Sequence, residues 1–209
     1  MLKRCFDIIC AALGLILVTP LIIYACFRIK GEDGGPAFFR GDRIGLHGKS
    51  FRIFKFRTMV VDAEKLGGPS TADDDPRVTS IGKFLRKYKL DELPQLINVL
   101  QGDMSIVGPR PEVKHYTDLF SEEERAILSV RPGITDWASI WNVDEGALLK
   151  GPDDPEKTYM KHIRPTKLKL QMKYVREKSF WVDLKIIFLT ILAIIQPESH
   201  AVREIRGRS

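Results

Sequence analysis

Cysteine is scarce in this sequence of 209 residues, and its three copies, Cys5, Cys10 and Cys26, all lie near the N-terminus. The rest of the chain has none, which excludes a disulfide framework and a cysteine-based zinc site. A reducing compartment is the simplest interpretation, with the thiols acting as small apolar side chains. Internal repeats and low-complexity tracts are also missing, so we expect one domain with a membrane anchor.

An excess of acidic residues is missing as well: 33 Lys and Arg stand against 27 Asp and Glu, for a net charge of +6. A basic surface suits nucleic acid, anionic lipid or phosphorylated substrates, and charge does not choose among them. The chain lacks a basic stripe interleaved with aromatic residues and any DNA-binding motif, so no nucleic-acid partner is predicted. Hydrophobic residues make up 44%, too many for a disordered chain and too few for a polytopic membrane protein.

One long apolar run is present, from Ile8 to Phe27, and it contains no charged residue. Its length matches the about 20 residues that a membrane-spanning helix needs. Pro20 interrupts the run, and Thr19 before it loses its preference for the helical region. Basic residues flank the run on both sides, so the positive-inside rule gives no orientation.

Two interpretations of residues 1–30 stay open, a kinked span and a re-entrant helix–break–helix with its break at Thr19–Pro20. The re-entrant form puts both basic flanks on one membrane face, with the Thr19 hydroxyl bonded to a backbone carbonyl freed at the break. A cleaved signal peptide fits less well, because no small-x-small cleavage site follows the run.

The remaining residues, 31–209, predict a small α/β domain that is mostly helical. Phe38–Arg40 and Phe51–Phe56 look strand-like, with turns at Gly45 and Gly48 between them. Basic amphipathic helices are predicted near 80–88 and 165–195, where they suit a membrane surface or, alternatively, the solvated side of a core helix. The apolar end of the second, closed by Pro197, is too short to span a membrane.

The stretch Leu90-Asp91-Glu92-Leu93-Pro94-Gln95 precedes a helical pattern of apolar residues. Because proline is tolerated only in the first turn of a helix, Pro94 fixes a helix start and Asp91 falls near its N-cap. On this pattern alone, Asp91 is explained as a cap. The chemical alternative is that the helix N-terminus keeps Asp91 ionised and helps to hold a phosphate, while Asp91 and Glu92 bind a magnesium ion that bridges diphosphate oxygens. Arg86, just upstream, would reach the same phosphates.

Two prolines flank Arg110 in the segment Gly108-Pro109-Arg110-Pro111-Glu112 and hold the backbone extended. A rigidly presented arginine suits bidentate phosphate binding. The alternative is a stiff surface turn with a solvated arginine.

These segments closely resemble the bacterial sugar transferases, which are the monotopic phosphoglycosyl transferases. The resemblance covers nearly the whole chain and is carried, in order, by the following motifs: Thr19-Pro20; Arg43, Gly45, Gly48, Lys49, Phe51 and Lys55-Phe56-Arg57-Thr58-Met59; Asp75-Pro76-Arg77, Gly82 and Leu85-Arg86; Leu90 to Gln95 and Asn98; Gly102-Asp103-Met104-Ser105 and Val107 to Glu112; and Arg131-Pro132-Gly133-Ile134-Thr135.

The resemblance implies that Asp91 is a nucleophile and Glu92 its partner in an Asp-Glu dyad. Asp91 would attack the β-phosphorus of a UDP-sugar and release UMP, which leaves a sugar-phosphoryl aspartate. A polyprenol phosphate, typically undecaprenyl phosphate, would then take the sugar phosphate. This is the first membrane step of polysaccharide (exopolysaccharide) or glycoconjugate assembly.

The resemblance also implies Mg²⁺ at Asp91 and Glu92, with the phosphates bound by four basic side chains: Arg86, Arg110, Lys55 and Arg57. Residues 1–30 would be the re-entrant membrane helix. Residues 31–209 would be a catalytic domain lying on the cytosolic face of the bacterial inner (cytoplasmic) membrane. The chain looks like the minimal catalytic form, and a homodimer stays open.

Two departures from the family pattern concern Thr19, where serine is common, and Asp136-Trp137-Ala138-Ser139, where Gly-Leu-Ala-Gln is common. We expect the bulkier Asp136 and Trp137 to reshape the sugar pocket, which leaves the donor sugar open. The competing hypothesis is a non-enzymatic adaptor whose basic helices bind lipid or protein.

Overall fold

A computed structural model of the chain describes residues 2–66, 71–72, 74–142, 145–149, 154–196 and 199–207. The helices are α1 (Leu2–Asp33), α2 (Ser80–Lys87), α3 (Gln95–Gln101), α4 (Lys114–Thr117), α5 (Trp137–Trp141), α6 (Glu145–Leu148), α7 (Pro155–Thr158), α8 (Arg164–Glu177), α9 (Phe180–Ile195) and α10 (His200–Gly207). The strands are β1 (Phe38–Phe39), β2 (Asp42–Ile44), β3 (Ser50–Arg52), β4 (Lys55–Phe56), β5 (Ser105–Val107) and β6 (Gly133–Thr135). The chain is therefore a mostly helical small domain with a long apolar N-terminal helix, as predicted.

The strands form two-stranded pairs, and no larger sheet occurs in the described residues. The antiparallel pairs are β1 with β4 and β2 with β3, and a 3₁₀ turn at Leu46–Gly48 closes the second hairpin where the glycines predict it. The single predicted strand Phe51–Phe56 is divided, because β3 and β4 serve different pairs. The sequence pattern did not predict the parallel pair of β5 and β6.

Two glycines, Gly108 and Gly133, allow the backbones at the ends of β5 and β6 to approach each other closely. A Cβ on Gly108 would lie 2.3 Å from the carbonyl oxygen of Arg131, and one on Gly133 would lie 2.1 Å from the backbone nitrogen of Gly108. Because no real Cβ sits at such distances, both positions require glycine. This contact fixes the segment that carries Arg110.

A hydrophobic core forms where α5, α8, α9 and α10 meet, around Trp137, Ile140, Ile186 and Val202. Helix α8 contributes buried side chains on most of its turns, Lys167 and Gln171 among them. The predicted interfacial helix near 165–195 is thus two helices, of which α8 belongs to the core.

Helix α9 carries two apolar surfaces. Ile186 and Leu189 face the core, whereas Trp181 is 77% exposed and Phe188 is 64% exposed. An exposed apolar surface of this kind suits a membrane boundary, so the prediction of an interfacial helix now concerns α9 and stays a prediction. Helix α9 ends at Ile195, and Pro197, which was predicted to end it, lies outside the described residues.

Helix α2 has a similar division. The Thr79 side chain caps it by accepting a hydrogen bond from the Gly82 backbone N–H, and Leu85 is buried. Phe84 and Tyr88 are half exposed, with their ring centroids 5.0 Å apart. Leu85 therefore anchors the helix while the aromatic pair projects outward.

Helix α1 is the one helix in the described ranges whose length and composition suit a membrane span. Polar contacts dock its first turns on the domain. Asp7 is 1% exposed and accepts hydrogen bonds from the Ser105 hydroxyl, at 2.9 Å, and the Ile106 backbone N–H, at 3.1 Å. The Lys3 ammonium donates to the Asp183 carboxylate at 2.6 Å.

The far end of α1 packs on the same domain. Ala25 and Ile29 are buried in one cluster with Phe56 and Leu85. Gly14 packs against Leu96 and Ile22 belongs to the second cluster, so the segment between the two docked parts is only around residues 15–21. That is much shorter than the about 20 residues that a spanning helix needs.

Secondary structure is continuous through Pro20, so α1 shows no interruption of the helix at the predicted break. The Thr19 hydroxyl donates to the Leu15 carbonyl at 2.6 Å. In an α-helix the carbonyl that Pro20 leaves without a partner is that of Ile16. The predicted hydroxyl–carbonyl bond is present, therefore, but at Leu15. The re-entrant geometry stays a prediction.

Candidate active site

Asp91 lies in a 3₁₀ turn, Leu90–Glu92, between α2 and α3. Lys89 starts this turn with φ 55° and ψ 26°, a left-handed conformation that is uncommon for lysine and often marks a functional site. Asp91 is 9% exposed, and no described residue donates a hydrogen bond to its carboxylate. Helix α3 begins at Gln95 with no side-chain cap. The interpretation of Asp91 as a cap is therefore wrong, because its oxygens bond no backbone N–H.

Glu92 has the opposite environment. The Lys55 ammonium donates to its Oε1 at 2.6 Å, and Arg110 donates from Nη1 to Oε2 at 2.7 Å and from Nη2 to Oε1. These contacts join three segments that are far apart in the sequence. Glu92 thus gathers Lys55 and Arg110 beside Asp91, and the structure brings together four of the predicted site residues.

Arg110 is presented by a rigid backbone, as the flanking prolines predict. Its backbone N–H faces the Asp136 carboxylate at 3.4 Å, and its carbonyl accepts from the Gln171 side chain at 3.3 Å. Both supporting side chains are fully buried. The backbone that carries the guanidinium is therefore held in place.

Arg86 lies on α2 and lines the same cavity as Asp91. Its Nε donates to the Thr58 hydroxyl at 2.9 Å. Gly82 makes this contact possible, since a Cβ there would lie 2.1 Å from the Thr58 carbonyl oxygen. Thr58 therefore positions the Arg86 guanidinium. Thr58 belongs to one of the sequence motifs, but the sequence predicted no role for it.

Arg57 is the one predicted phosphate ligand whose guanidinium is bound to α1. Nη1 and Nη2 both donate to the Asp33 carboxylate at 2.5 Å, and Nε donates to the Pro36 carbonyl at 2.6 Å. Arg57 therefore ties the end of α1 to β4, and its phosphate contact stays a prediction. No periodic signal in the sequence connects Asp33 to Arg57.

The two adjacent carboxyl groups have divergent acidities. Burial raises the pKa of Asp91 above its ordinary value, and Glu92 adds to this, while Lys55, Arg110 and Arg86 oppose it. Burial also acts to raise the pKa of Glu92, but Arg110 and Lys55 hold that pKa well below its usual range. The prediction that a helix tip keeps Asp91 ionised is corrected accordingly. The groups that favour its charged form are basic side chains.

A cavity of about 1190 Å³ opens beside Asp91. Basic side chains, Lys55, Arg86 and Arg110 among them, line one part of it, and apolar side chains such as Leu96 and Ile194 line another. This volume exceeds the roughly 300–1,000 Å³ of typical small-ligand pockets. The cavity thus offers an anion-binding region that adjoins an apolar one.

A magnesium ion fits part of this donor set. The described residues contain no cluster of three or more His, Cys, Asp or Glu side chains placed to hold a metal. Mg²⁺, however, is commonly held by one or two carboxylates together with substrate phosphates and waters. The Asp91 carboxylate suits this need, whereas both Glu92 oxygens are bound to Lys55 and Arg110.

The two bulky departures from the family pattern do not line the cavity. Trp137 is 6% exposed in the core of α5, α8 and α9, and Asp136 is fully buried, accepting from the Ser139 backbone and hydroxyl. Ala138 and Ser139 reach the cavity instead. The prediction that Asp136 and Trp137 reshape the pocket directly is therefore wrong, because α5 turns both side chains inward.

Comparison with known proteins gives an independent line of evidence. Residues 1–197 match the family model described as bacterial sugar transferase. The chain is 40% identical over 197 residues to the UDP-glucose:undecaprenyl-phosphate glucose-1-phosphate transferase of Escherichia coli (strain K12), covering 91% of this chain and 39% of that protein. It is 36% identical to the undecaprenyl-phosphate galactose phosphotransferase of Salmonella typhimurium, covering 93% of this chain and 40% of that protein.

A third relative has nearly the same length. The uncharacterized sugar transferase EpsL of Bacillus subtilis (strain 168) is 37% identical, and the match covers 97% of this chain and 94% of that protein. The chain thus spans about two fifths of the first two relatives and almost the whole of the third.

Proposed function

This chain belongs to the bacterial sugar transferase family, and we propose that it moves a sugar 1-phosphate from a UDP-sugar to undecaprenyl phosphate or a related polyprenol phosphate. The names of both relatives include undecaprenyl phosphate. One of them names glucose 1-phosphate as the transferred group, and the other names galactose. These names support the class of reaction and leave the sugar open. The product would enter polysaccharide or glycoconjugate assembly.

The observation that carries the proposal is the state of the Asp91 carboxylate. It is buried at a charged cavity, free of hydrogen bonds from described residues, and surrounded by Lys55, Arg110 and Arg86. A structural carboxylate at this burial is normally hydrogen-bonded. An unbonded one that faces a cavity is instead suited to act as a nucleophile.

In the first step, an Asp91 oxygen attacks the β-phosphorus of the UDP-sugar. A bond forms between that oxygen and phosphorus, and the phosphoanhydride bond to the α-phosphate breaks. UMP leaves with the bonding electron pair, and the sugar phosphate remains on Asp91. Lys55 and Arg110 supply positive charge where the phosphoryl group becomes more negative.

In the second step, a phosphate oxygen of the polyprenol phosphate attacks the same phosphorus. The bond between Asp91 and phosphorus breaks, which returns the carboxylate and gives a polyprenol diphosphate sugar. One phosphoanhydride replaces another overall, so no further energy source is required. Glu92 contributes by holding Lys55 and Arg110 in reach of both phosphates.

Magnesium would be held by Asp91 together with the donor diphosphate, and by Glu92 if it exchanges its basic partners. Such an ion neutralises phosphate charge. Arg86 binds the same phosphates from the α2 side. Arg57 lines the cavity and is bound to Asp33. Its guanidinium would reach a phosphate only after leaving the Asp33 carboxylate.

The membrane arrangement we propose is monotopic, on the cytosolic face of the bacterial inner membrane. Both docked parts of α1 lie on the domain that contains the charged cavity. Outward-facing apolar side chains, such as Leu17 at 79% and Phe27 at 78% exposed, continue along the helix. These observations favour a helix that enters the lipid from one face.

A UMP-release assay tests the proposal. Purified protein with Mg²⁺, undecaprenyl phosphate and a panel of UDP-sugars that includes UDP-glucose and UDP-galactose is expected to release UMP with at least one donor. Asp91→Ala is expected to abolish release. Full turnover by that variant would exclude Asp91 as the nucleophile, and a membrane-anchored adaptor predicts no release with any donor.

A further inference from the structure

A buried amide four residues after Asp91 has no hydrogen-bond partner among the described residues. Gln95 is the first residue of α3 and is 1% exposed, yet neither its Nε2 nor its Oε1 has a hydrogen-bond partner among the described residues. Leaving buried donors and acceptors unpaired costs free energy, so native structures seldom do it without a functional reason.

Asn98, one turn along the same helix, shows the ordinary arrangement. It is fully buried, its Oδ1 accepts from the Phe54 backbone N–H at 2.8 Å, and its Nδ2 donates to the Arg52 carbonyl at 3.0 Å. Helix α3 thus carries a structural amide whose bonds are made and an amide whose bonds are not.

The residue that carries the unpaired amide is one of those that line the cavity beside Asp91. Leu93 and Pro94 have helical backbone angles, so the turn that holds Asp91 continues into α3. Residues four apart on a helix share one side, and Asp91 and Gln95 line the same cavity. Lys55 and Arg110, the nearby charged donors, are already bound to Glu92.

We propose that Gln95 is a catalytic residue whose Nε2 donates a hydrogen bond to the phosphoryl group during its transfer to and from Asp91. A carboxamide offers N–H donors without charge. It would therefore stabilise the phosphoryl oxygens without adding positive charge that attracts every phosphate equally. This role rests on the proposed function, since a sugar phosphate is the ligand that the amide would meet.

The test is a donor-only burst experiment. Enzyme, Mg²⁺ and UDP-sugar without acceptor give one turnover of UMP release, at a rate that reports attack by Asp91. Gln95→Met keeps the length of the side chain and removes its hydrogen bonds. We expect the burst rate at saturating donor to fall about tenfold or more, as when a donor to a transition-state oxyanion is removed.

Thermal unfolding separates this role from a structural one. Because Gln95→Met removes two unpaired polar groups from a buried site, its melting temperature is expected to stay unchanged or to rise. Asn98→Leu is the matched comparison, and its melting temperature is expected to fall, since Phe54 and Arg52 lose their partners.

Gln95→Glu provides a second variant of the same shape, in which an acceptor replaces the donor. Its burst rate is also expected to fall. A wild-type burst rate in either folded variant would overturn the role of Gln95, and so would a loss of rate that only accompanies a loss of stability. If the wild-type protein gives no burst with any donor, the proposed function fails and this role fails with it.

Discussion

At the residue scale, the site depends on two neighbouring carboxylates with different environments. Asp91 is buried without hydrogen-bond donors, and burial raises its pKa, whereas Lys55 and Arg110 bind Glu92 and lower its pKa. Titratable neighbours whose environments separate their pKa values commonly have separate roles. This difference fits the proposed roles, in which Asp91 reacts while Glu92 stays ionised and positions the basic residues.

The pH dependence of the donor half-reaction follows from this arrangement. In the proposed mechanism Asp91 attacks only when deprotonated, so UMP release is expected to rise with pH through the elevated pKa of Asp91. The Lys55 charge lowers that pKa. Lys55→Met is therefore expected to raise the pKa of Asp91 and move the acidic limb of the burst-rate profile to higher pH. The acceptor is omitted because it is a phosphate monoester, which titrates near pH 6 and would add its own pH dependence to the rate.

Lys114→Met serves as the control, since Lys114 is 74% exposed and pairs only with Asp118 at the surface in the described structure. Its profile should overlay that of the wild type. An acidic limb that stays in place, or moves to lower pH, in Lys55→Met would contradict the assignment of that limb to Asp91.

Residue types at the site were predictable, and their partners were not. The motif around Asp91 and the prolines around Arg110 pointed to side chains that the structure places at one cavity. The pairing of Glu92 with Lys55, and of Arg57 with Asp33, joins residues that are distant in the sequence, and no local pattern encodes it. From the sequence, Arg57 and Arg86 therefore received the same predicted role. The structure shows that they bind different partners, Asp33 and Thr58.

At the element scale, α1 is bound to the domain by buried polar contacts as well as by apolar packing. Asp7 receives the Ser105 hydroxyl and the Ile106 N–H, and Lys3 pairs with Asp183 on α9. Polar contacts of this kind specify one docking geometry, since a slip of the helix would leave them unpaired.

Asp7→Ala is expected to lower the free energy of unfolding by about 2–4 kcal/mol, because the buried Ser105 hydroxyl and the partly buried Ile106 N–H lose their acceptor. Thermal or chemical unfolding in detergent micelles measures this. Asp118→Ala, which removes an exposed surface pair, should change stability by less than about 1 kcal/mol. Equal stability of the Asp7 variant and the wild type would mean that α1 is docked by packing alone.

Helices were easier to predict than strand pairs. The pattern near 80–88 located α2, and Pro94 located the start of α3 within about two residues, which is within the usual uncertainty of helix ends. Strands β5 and β6 are separated in the sequence by a long connection that contains α4, and they are only three residues each, so they leave no periodic signal. Helix α8 looked interfacial because its lysines obscure a side that the core buries.

At the scale of the whole molecule, exposed apolar surface is concentrated on α1 and α9. Leu17 and Phe27 on α1, and Trp181 and Phe188 on α9, are each at least 64% exposed. A patch of this extent marks contact with a membrane or a partner. The sequence predicted the membrane segment, while the docking of both its ends on one domain required the structure.

Labelling with a membrane-impermeant maleimide tests the monotopic arrangement. After Cys5, Cys10 and Cys26 are replaced, single cysteines at Leu2 and Gly31, both exposed, are expected to react from the cytosolic side of inverted vesicles. A cysteine at the exposed Asp118, in the catalytic domain, is expected to react from the same side. Reaction of the two α1 positions from opposite faces would establish a span and exclude the re-entrant helix.

The most direct test of the central claim is mass spectrometry of the protein after incubation with Mg²⁺ and a UDP-sugar that supports UMP release, with no acceptor present. A peptide containing Asp91 is expected to gain the mass of one sugar phosphate, and Asp91→Asn should gain none. UMP release without this adduct, or an adduct on another residue, would contradict the account.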